Sequence, residues 1–173
     1  MILNNYYNFI GNVPRYNYKI GDETAFADIG LKDTSGSSVN WQYGCYGSLT
    51  DNPRVANNLV AWKEVSVILT SDEGDPAASD YSVTSNITNS FNLTTTFTSG
   101  AEDGKATLTV TISGTCVNPY EQTIRQICIA KKVWKNANSD EYTNVMLIKH
   151  KLDEPIVVAS GASFTKTFSW DLS

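Results

Sequence analysis

The chain has 173 residues, 41% hydrophobic and 18% charged, a balance that suits a packed soluble protein and excludes intrinsic disorder. Its net charge of −5 speaks against nucleic acid as a partner: phosphate neutralisation needs a basic face, and the nearest approach to one is Lys131-Lys132, read here as a solvated strand end. No apolar run is long enough to cross a bilayer, so no membrane partner is expected.

Residues 1–25 are rich in Tyr and Asn and show no helical period. They lack the basic start and unbroken apolar segment of a secretion signal, so action outside a cell would imply release by lysis or earlier removal of a signal. The reading is an extended arm, residues 1–25, ahead of one domain, residues 26–173. Tyr6, Tyr7, Phe9, Tyr16 and Tyr18 give the arm the large amphipathic rings common at interfaces. Packing of the arm on its own domain is the equal alternative.

A weak strand, AFADIGLKD, and a polar loop lead to WQYGCYGS, where Trp41, Tyr43 and Tyr46 crowd around two glycines. Such a cluster can stack on a sugar, contact a protein or plug one end of a β core. The best helix candidate is short, residues 53–62, with Asp51 or Asn52 as its cap and Pro53 in its first turn. Residues 64–70 form a strand with Val65, Val67 and Leu69 on one face. The loop SDEGDPAASDYSV follows. Its Asp72, Glu73, Asp75 and Asp80 are oxygen donors of the kind calcium uses, but their spacing departs from the EF-hand pattern, so a solvated acidic loop is expected and no metal is assigned.

From residue 86 to 99 the chain is β, with Phe91, Leu93, Thr95 and Phe97 on one parity and Thr94, Thr96 and Thr98 on the other. Asn86 and Asn92 open formal glycosylation sequons of the kind Thr-rich strands produce by chance. The stretch TLTVTISGTCVNPYEQTIRQICIAKKV, residues 107–133, reads as a central hairpin. Leu108, Val110 and Ile112 face inward on its first strand, Asn118-Pro119 makes the turn, and a bulge between Ile124 and Ile127 restores the inward face of the second. Pairing about the turn sets Cys116 opposite Ile124, so no Cys116–Cys128 disulfide is predicted, and Cys116 is read as a small buried apolar residue. With one histidine among 173 residues, a Cys/His zinc site is not expected.

Beyond Trp134, a polar loop leads to the strand VMLIKH, LDEP turns into a short strand IVVA, and ASGAS turns into a last strand with Phe164, Phe168, Trp170 and Leu172 on one parity. His150 is read as an exposed strand-end residue, with Asp153 and Glu154 as turn residues before Pro155. No nucleophile with a base and an orienting acid, no Gly-rich phosphate loop and no Gly-x-Ser-x-Gly elbow is present. No catalytic residue, metal ligand or cofactor is therefore assigned, and the chain is not read as an enzyme. The fold class is all-β, an antiparallel β-sandwich or jelly-roll-like fold with an extended N-terminal arm and at most one short helix.

From Leu69 onward the features come in a familiar order: GDPAASDYSV ending in Asp80-Tyr81, a Thr-rich strand pair, CVNPYEQTIRQICI, then MLIKHKLDEPIVVASGASFTKTFSW. In this the sequence resembles a broad family of small β-sandwich virion proteins from tailed bacteriophages. Where that family has Ile-x-Glu-Ile-Gly-Leu, this chain has Ile124-Arg125-Gln126-Ile127-Cys128-Ile129, and Lys149-His150 stands in place of an arginine. The resemblance covers the C-terminal two thirds. It implies a structural role in the virion as head decoration, collar, ring or tail component, with other virion proteins as partners, a homo-oligomeric state and assembly in the host cytoplasm before lysis. The N-terminal third would then carry the place-specific contacts. A carbohydrate-binding β-sandwich module of an attachment fibre or cell-surface protein is the alternative, motivated by Trp41, Tyr43 and Tyr46.

Overall fold

A computed structural model of the chain describes residues 1–7, 32–39, 64–102, 105–134 and 142–172. Among these, six strands form two antiparallel three-stranded sheets: β1 (Val65–Thr70), β4 (Gln122–Trp134) and β5 (Tyr142–Val158) in the order β1-β4-β5, and β2 (Phe91–Glu102), β3 (Lys105–Cys116) and β6 (Ser163–Asp171) in the order β2-β3-β6. The fold is all-β and sandwich-like. Residues 4–7 are helical and a 3₁₀ turn spans Thr88–Ser90. The expected helix at residues 53–62 lies outside the described residues.

The chain divides into two compact units. The first comprises Met1–Ser66, Pro76–Ser82 and Ile129–Lys149, the second Val67–Asp75, Val83–Cys128 and His150–Ser173. In the first, Leu3, Val133 and the run Val145, Met146, Leu147, Ile148 are buried. In the second, the core is Leu69, Leu108, Val110, Ile112 and Ile124, each fully buried and each contributing about 1.5–3 kcal/mol by leaving water.

The sheet β2-β3-β6 follows from strict alternation. β2 pairs with β3 without a break from Phe91↔Cys116 to Glu102↔Lys105, and β3 pairs with β6 from Thr107↔Asp171 to Thr115↔Ser163. Gly114 sits inside this ladder where a larger residue would make the ends of Leu93 and Phe164 shift. A Cβ there would lie 2.6 Å from Leu93 Cδ2 and 2.9 Å from Phe164 Cε1.

The expectation of a hairpin over residues 107–133 is not met. β3 and β4 lie in different sheets, because β2 and β6 occupy both edges of β3. The connection, residues 117–121, is an arch rather than a hairpin turn. Its start is fastened by Val117 N donating to Ser90 O (2.9 Å), by Cys116 N donating to Ala162 O (2.9 Å) and by Asn118 Nδ2 donating to Ser90 Oγ (3.2 Å). Asn118 also shapes it locally, its Oδ1 accepting from Tyr120 N at 3.0 Å in an Asx turn. Cys116 and Cys128 are buried in separate sheets and are not linked to one another.

The slip of phase in β4 marks where both faces of the strand become covered: every residue from 126 to 131 is buried. That run includes Lys131, which is fully buried, so the solvated strand end expected at Lys131-Lys132 is not what forms. Lys132 is half-buried, its Nζ 4.1 Å from the centroid of the Tyr142 ring. β5 is also longer than expected. It runs unbroken through Asp153, Glu154 and Pro155, where a turn was expected, because β5 is an edge strand and a proline there need not interrupt the ladder.

Replacing Gly114 with Ala forces a methyl against Leu93 and Phe164. The expected loss is about 1–3 kcal/mol, read as a lower midpoint of urea unfolding with an unchanged slope.

Candidate functional site

The first seven residues lie along β5 in the first unit. Ile2 bridges Ile148, Leu3 N donates to Leu147 O at 2.9 Å, and Asn4 N donates to Ala78 O at 2.8 Å. Asn5 is buried and completes a backbone-like pair with Lys32: its Nδ2 donates to Lys32 O (2.9 Å) and its Oδ1 accepts from Lys32 N (3.0 Å). Tyr6 is buried, and burial, with a smaller contribution from the neighbouring Tyr7 phenol, pushes its own phenol above its ordinary value. Tyr7 meets it edge-on at 5.5 Å and is 47% exposed. Of the two arm tyrosines described, Tyr7 is thus the exposed one. Phe9, Tyr16, Tyr18, Trp41, Tyr43 and Tyr46, and with them the aromatic cluster, lie outside the described residues.

The acidic loop is held by its own charges. Asp72 accepts from Gly74 N (3.0 Å) and from the Thr84 hydroxyl, Glu73 pairs with Arg125 (3.2 Å), and Asp75 pairs with Lys151 (2.6 Å). In the first unit, Asp80 accepts from Lys149 Nζ at 3.0 Å and from Ala77 N at 3.1 Å. Asp33 caps a tight turn. Burial raises its affinity for a proton, but the Ser35 hydroxyl, the Ser35 and Ser37 amides and the Thr143 hydroxyl together hold the carboxyl below its ordinary value. Among the described residues no group of three or more His, Cys, Asp or Glu is arranged to hold a metal ion.

Below the loop, buried Gln126 donates Nε2 to Asp72 O (3.1 Å) and Gly74 O (2.6 Å), while its Oε1 has no partner among the described residues. Beside it is an open recess of about 330 Å³ lined by Glu73, Arg125, Lys151, Leu152, Asp153 and Pro155. Both of its cations are already paired with carboxylates, so it carries no charge surplus to select an anion or an acid.

His150 is not an exposed strand end. It lies inside β5, its ring 5.6 Å from Trp170 and 5.7 Å from Phe168, with Nδ1 accepting from Trp170 Nε1 at 3.4 Å. Burial pushes its imidazole below the ordinary value of 6.5. No carboxylate–histidine–nucleophile chain is built around it among the described residues; it is a packed aromatic with a satisfied nitrogen.

The most regular surface is the outer face of β2-β3-β6. Across β3 and β6, hydroxyl pairs form successive rungs: Thr109–Ser169 (2.9 Å), Thr111–Thr167 (3.0 Å), Ser113–Thr165 (2.9 Å) and Thr115–Ser163 (2.8 Å). On the other side, Asn92, Thr94, Thr96 and Thr98 stand in register with Thr115, Ser113, Thr111 and Thr109. Strand and pleat spacing set these groups about 4.8 Å apart across the sheet and about 6.8 Å apart along it. At its margin, where Glu102 stands in register with Lys105, Lys105 pairs with Asp171 at 3.0 Å. Parity of Thr and Ser in each strand was legible in sequence; which strands share the face was not. The arch adds an apolar tip, Val117 at 52% and Tyr120 at 76% exposure.

No family model matches the chain, and comparison with characterised proteins and with solved structures finds no match. No helix among the described residues is long and apolar enough to cross a membrane.

Two outcomes test these assignments. Asp80→Asn removes the carboxylate from buried Lys149 and should lower unfolding stability by about 1.5–3 kcal/mol in denaturant titration. For His150, the folded imidazole takes up a proton only below the unfolded value of 6.5, so stability present above that pH is lost as pH falls through it toward the lowered folded value. His150→Phe keeps the ring packing and abolishes the titration. Its melting temperature should therefore fall less than that of the unaltered protein between about pH 7 and about pH 5.5.

Proposed function

We propose that the protein is a structural component of a bacteriophage virion, assembled from repeated copies through its β-sandwich and N-terminal segment as a head decoration, collar, ring or tail element. The observation that carries this reading is the placement of the phage-like features on successive elements. Asp80-Tyr81 closes the loop ahead of β2, and the Thr-rich pair is β2-β3 in continuous register. The Asn-Pro break is the arch, the Ile-rich segment is β4, MLIKH and PIVV lie on β5, and the Thr/Phe strand is β6. Support also comes from the character of the surface. The described residues present a neutral hydroxyl-covered sheet, an arch tip with Val117 and Tyr120, and an exposed Tyr7. These are features that suit contact with protein rather than turnover of a small molecule.

The mechanism on this reading is assembly in the host cytoplasm. Each copy buries modest areas against several neighbours, and repetition multiplies the contacts. Purified particles of the phage that carries this gene should contain the protein in many copies, measured by quantitative mass spectrometry against the major capsid protein. Particles that are intact and infectious without it would end the proposal.

A further inference from the structure

The sheet edges of this molecule are not alike. β1 is bordered by the segment after the acidic loop, with Ile87 N donating to Leu69 O (2.9 Å) and Leu69 N donating to the Thr88 hydroxyl (2.9 Å). β5 carries Pro155 together with Lys151, Asp153 and Glu154. β6 turns Lys166, an exposed charge, onto the face that otherwise carries Phe164, Phe168 and Trp170. Each of these devices blocks the addition of a further strand. β2 has none of them. It is 12 residues long, holds no proline, and has no charged residue between Phe91 and Ala101. Among the described residues no backbone group bonds to the outer side of its stretch from Asn92 to Ser99. On its inner face Leu93 and Phe97 are only half-buried, apolar surface at an edge that a further strand would cover.

We propose that β2 is the strand through which two copies of this chain pair, edge to edge and antiparallel, about a two-fold axis near Thr95. The inference rests on the reading of the protein as a self-assembling building unit and names the contact it uses. The strand is self-complementary about that axis. Leu93 of each copy meets Phe97 of the other on the inner face, and Thr94 of each meets Thr96 of the other on the hydroxyl face. Thr–Thr neighbours of this kind already stabilise the β3–β6 pair, where Thr111 and Thr167 are 3.0 Å apart. A second copy supplies both the main-chain partners and the matching faces. A basic or acidic partner strand would find no counter-charge along this stretch. Pairing fuses two three-stranded sheets into one with β6 strands at its outer edges, where Lys166 stops further growth. The product is a closed dimer rather than a fibre.

The test uses the full chain with Thr96→Lys and Thr96→Glu, each at an exposed position. In each pure variant like charges then stand diagonally about the axis, each opposite Thr94 and within reach of one another as long side chains, and in a mixture opposite charges do so. Sedimentation velocity over a concentration series should show the unaltered protein as a dimer or a multiple of one. Each variant should be shifted to monomer with at least a tenfold weaker association, and an equimolar mixture of the two should recover the dimer. Circular dichroism checks that the variants are folded; Thr94→Lys and Thr94→Glu serve if they are not. Variants that associate as tightly as the unaltered protein overturn the β2 contact and leave assembly through other surfaces standing. An unaltered protein that stays monomeric throughout overturns the pairing itself, while its presence in particles is decided separately by mass spectrometry.

Discussion

A β-strand has two hydrogen-bonding edges, and in β3 both are occupied, by β2 on one side and β6 on the other. Everything distinctive in the second unit follows from that. With no edge left on β3, the chain leaving Cys116 cannot return beside it as a hairpin, and it crosses to the other sheet in the short arch tied to Ser90 and Ala162. The crossing separates Cys116 from Cys128. It also leaves β2 and β6 as the margins of a three-stranded sheet whose outer face is mostly hydroxyl, because all three strands alternate in the same phase.

The polar groups buried inside are the counterpart of this regularity. A lysine removed from water costs several kcal/mol unless its charge is met. Lys149 is met by Asp80, and the pair ties the end of the acidic loop to β5 within the first unit. Gln126 does the same for the beginning of the loop within the second unit, one amide holding two carbonyl oxygens. The loop that looked like a calcium candidate is therefore shaped by main-chain and ion-pair bonds. Glu73 pairs with Arg125 and Asp75 with Lys151 in the second unit, and Asp80 pairs with Lys149 in the first. The Oε1 of Gln126, unpartnered among the described residues, shows the cost of this arrangement, about 1–3 kcal/mol for a buried acceptor left unmet.

Legibility in the sequence followed solvent. β2, β3 and β6 each have one wet face, so apolar and hydroxyl residues alternate and the strands could be read from Phe91, Leu108 and Phe168 outward. β4 and part of β5 are covered on both faces, and there the period of two disappears. Gln126 to Lys131 is buried without a gap, and the slip between Ile124 and Ile127 looked like a bulge only because a single buried face was assumed. Lys131 misled for the same reason, since two adjacent lysines suggest water. Pairing partners were beyond reach, because alternation records which way a side chain points but not which neighbour stands beside it. Pro155 was read as a turn although an edge strand accommodates it. Of the candidate interface residues, Tyr6 and Tyr7 shared one sequence signal yet differ in fate, one buried and one 47% exposed, since a helical turn at residues 4–7 points neighbours in different directions.

The surface left to act is a neutral one in an acidic protein. Copies of a chain with net charge −5 repel one another on average, and the repulsion is least where the facing surfaces carry no charge. The outer face of β2-β3-β6 is such a surface over most of its length. Its hydroxyls, however, are already hydrogen-bonded in pairs across β3 and β6 and gain little from a new polar partner. The backbone edge of β2 differs, since main-chain donors and acceptors there must be satisfied by water or by another strand. Between a self-satisfied face and an unsatisfied edge, the proposed pairing would draw its association from the edge, with the face as the exterior of the paired copies.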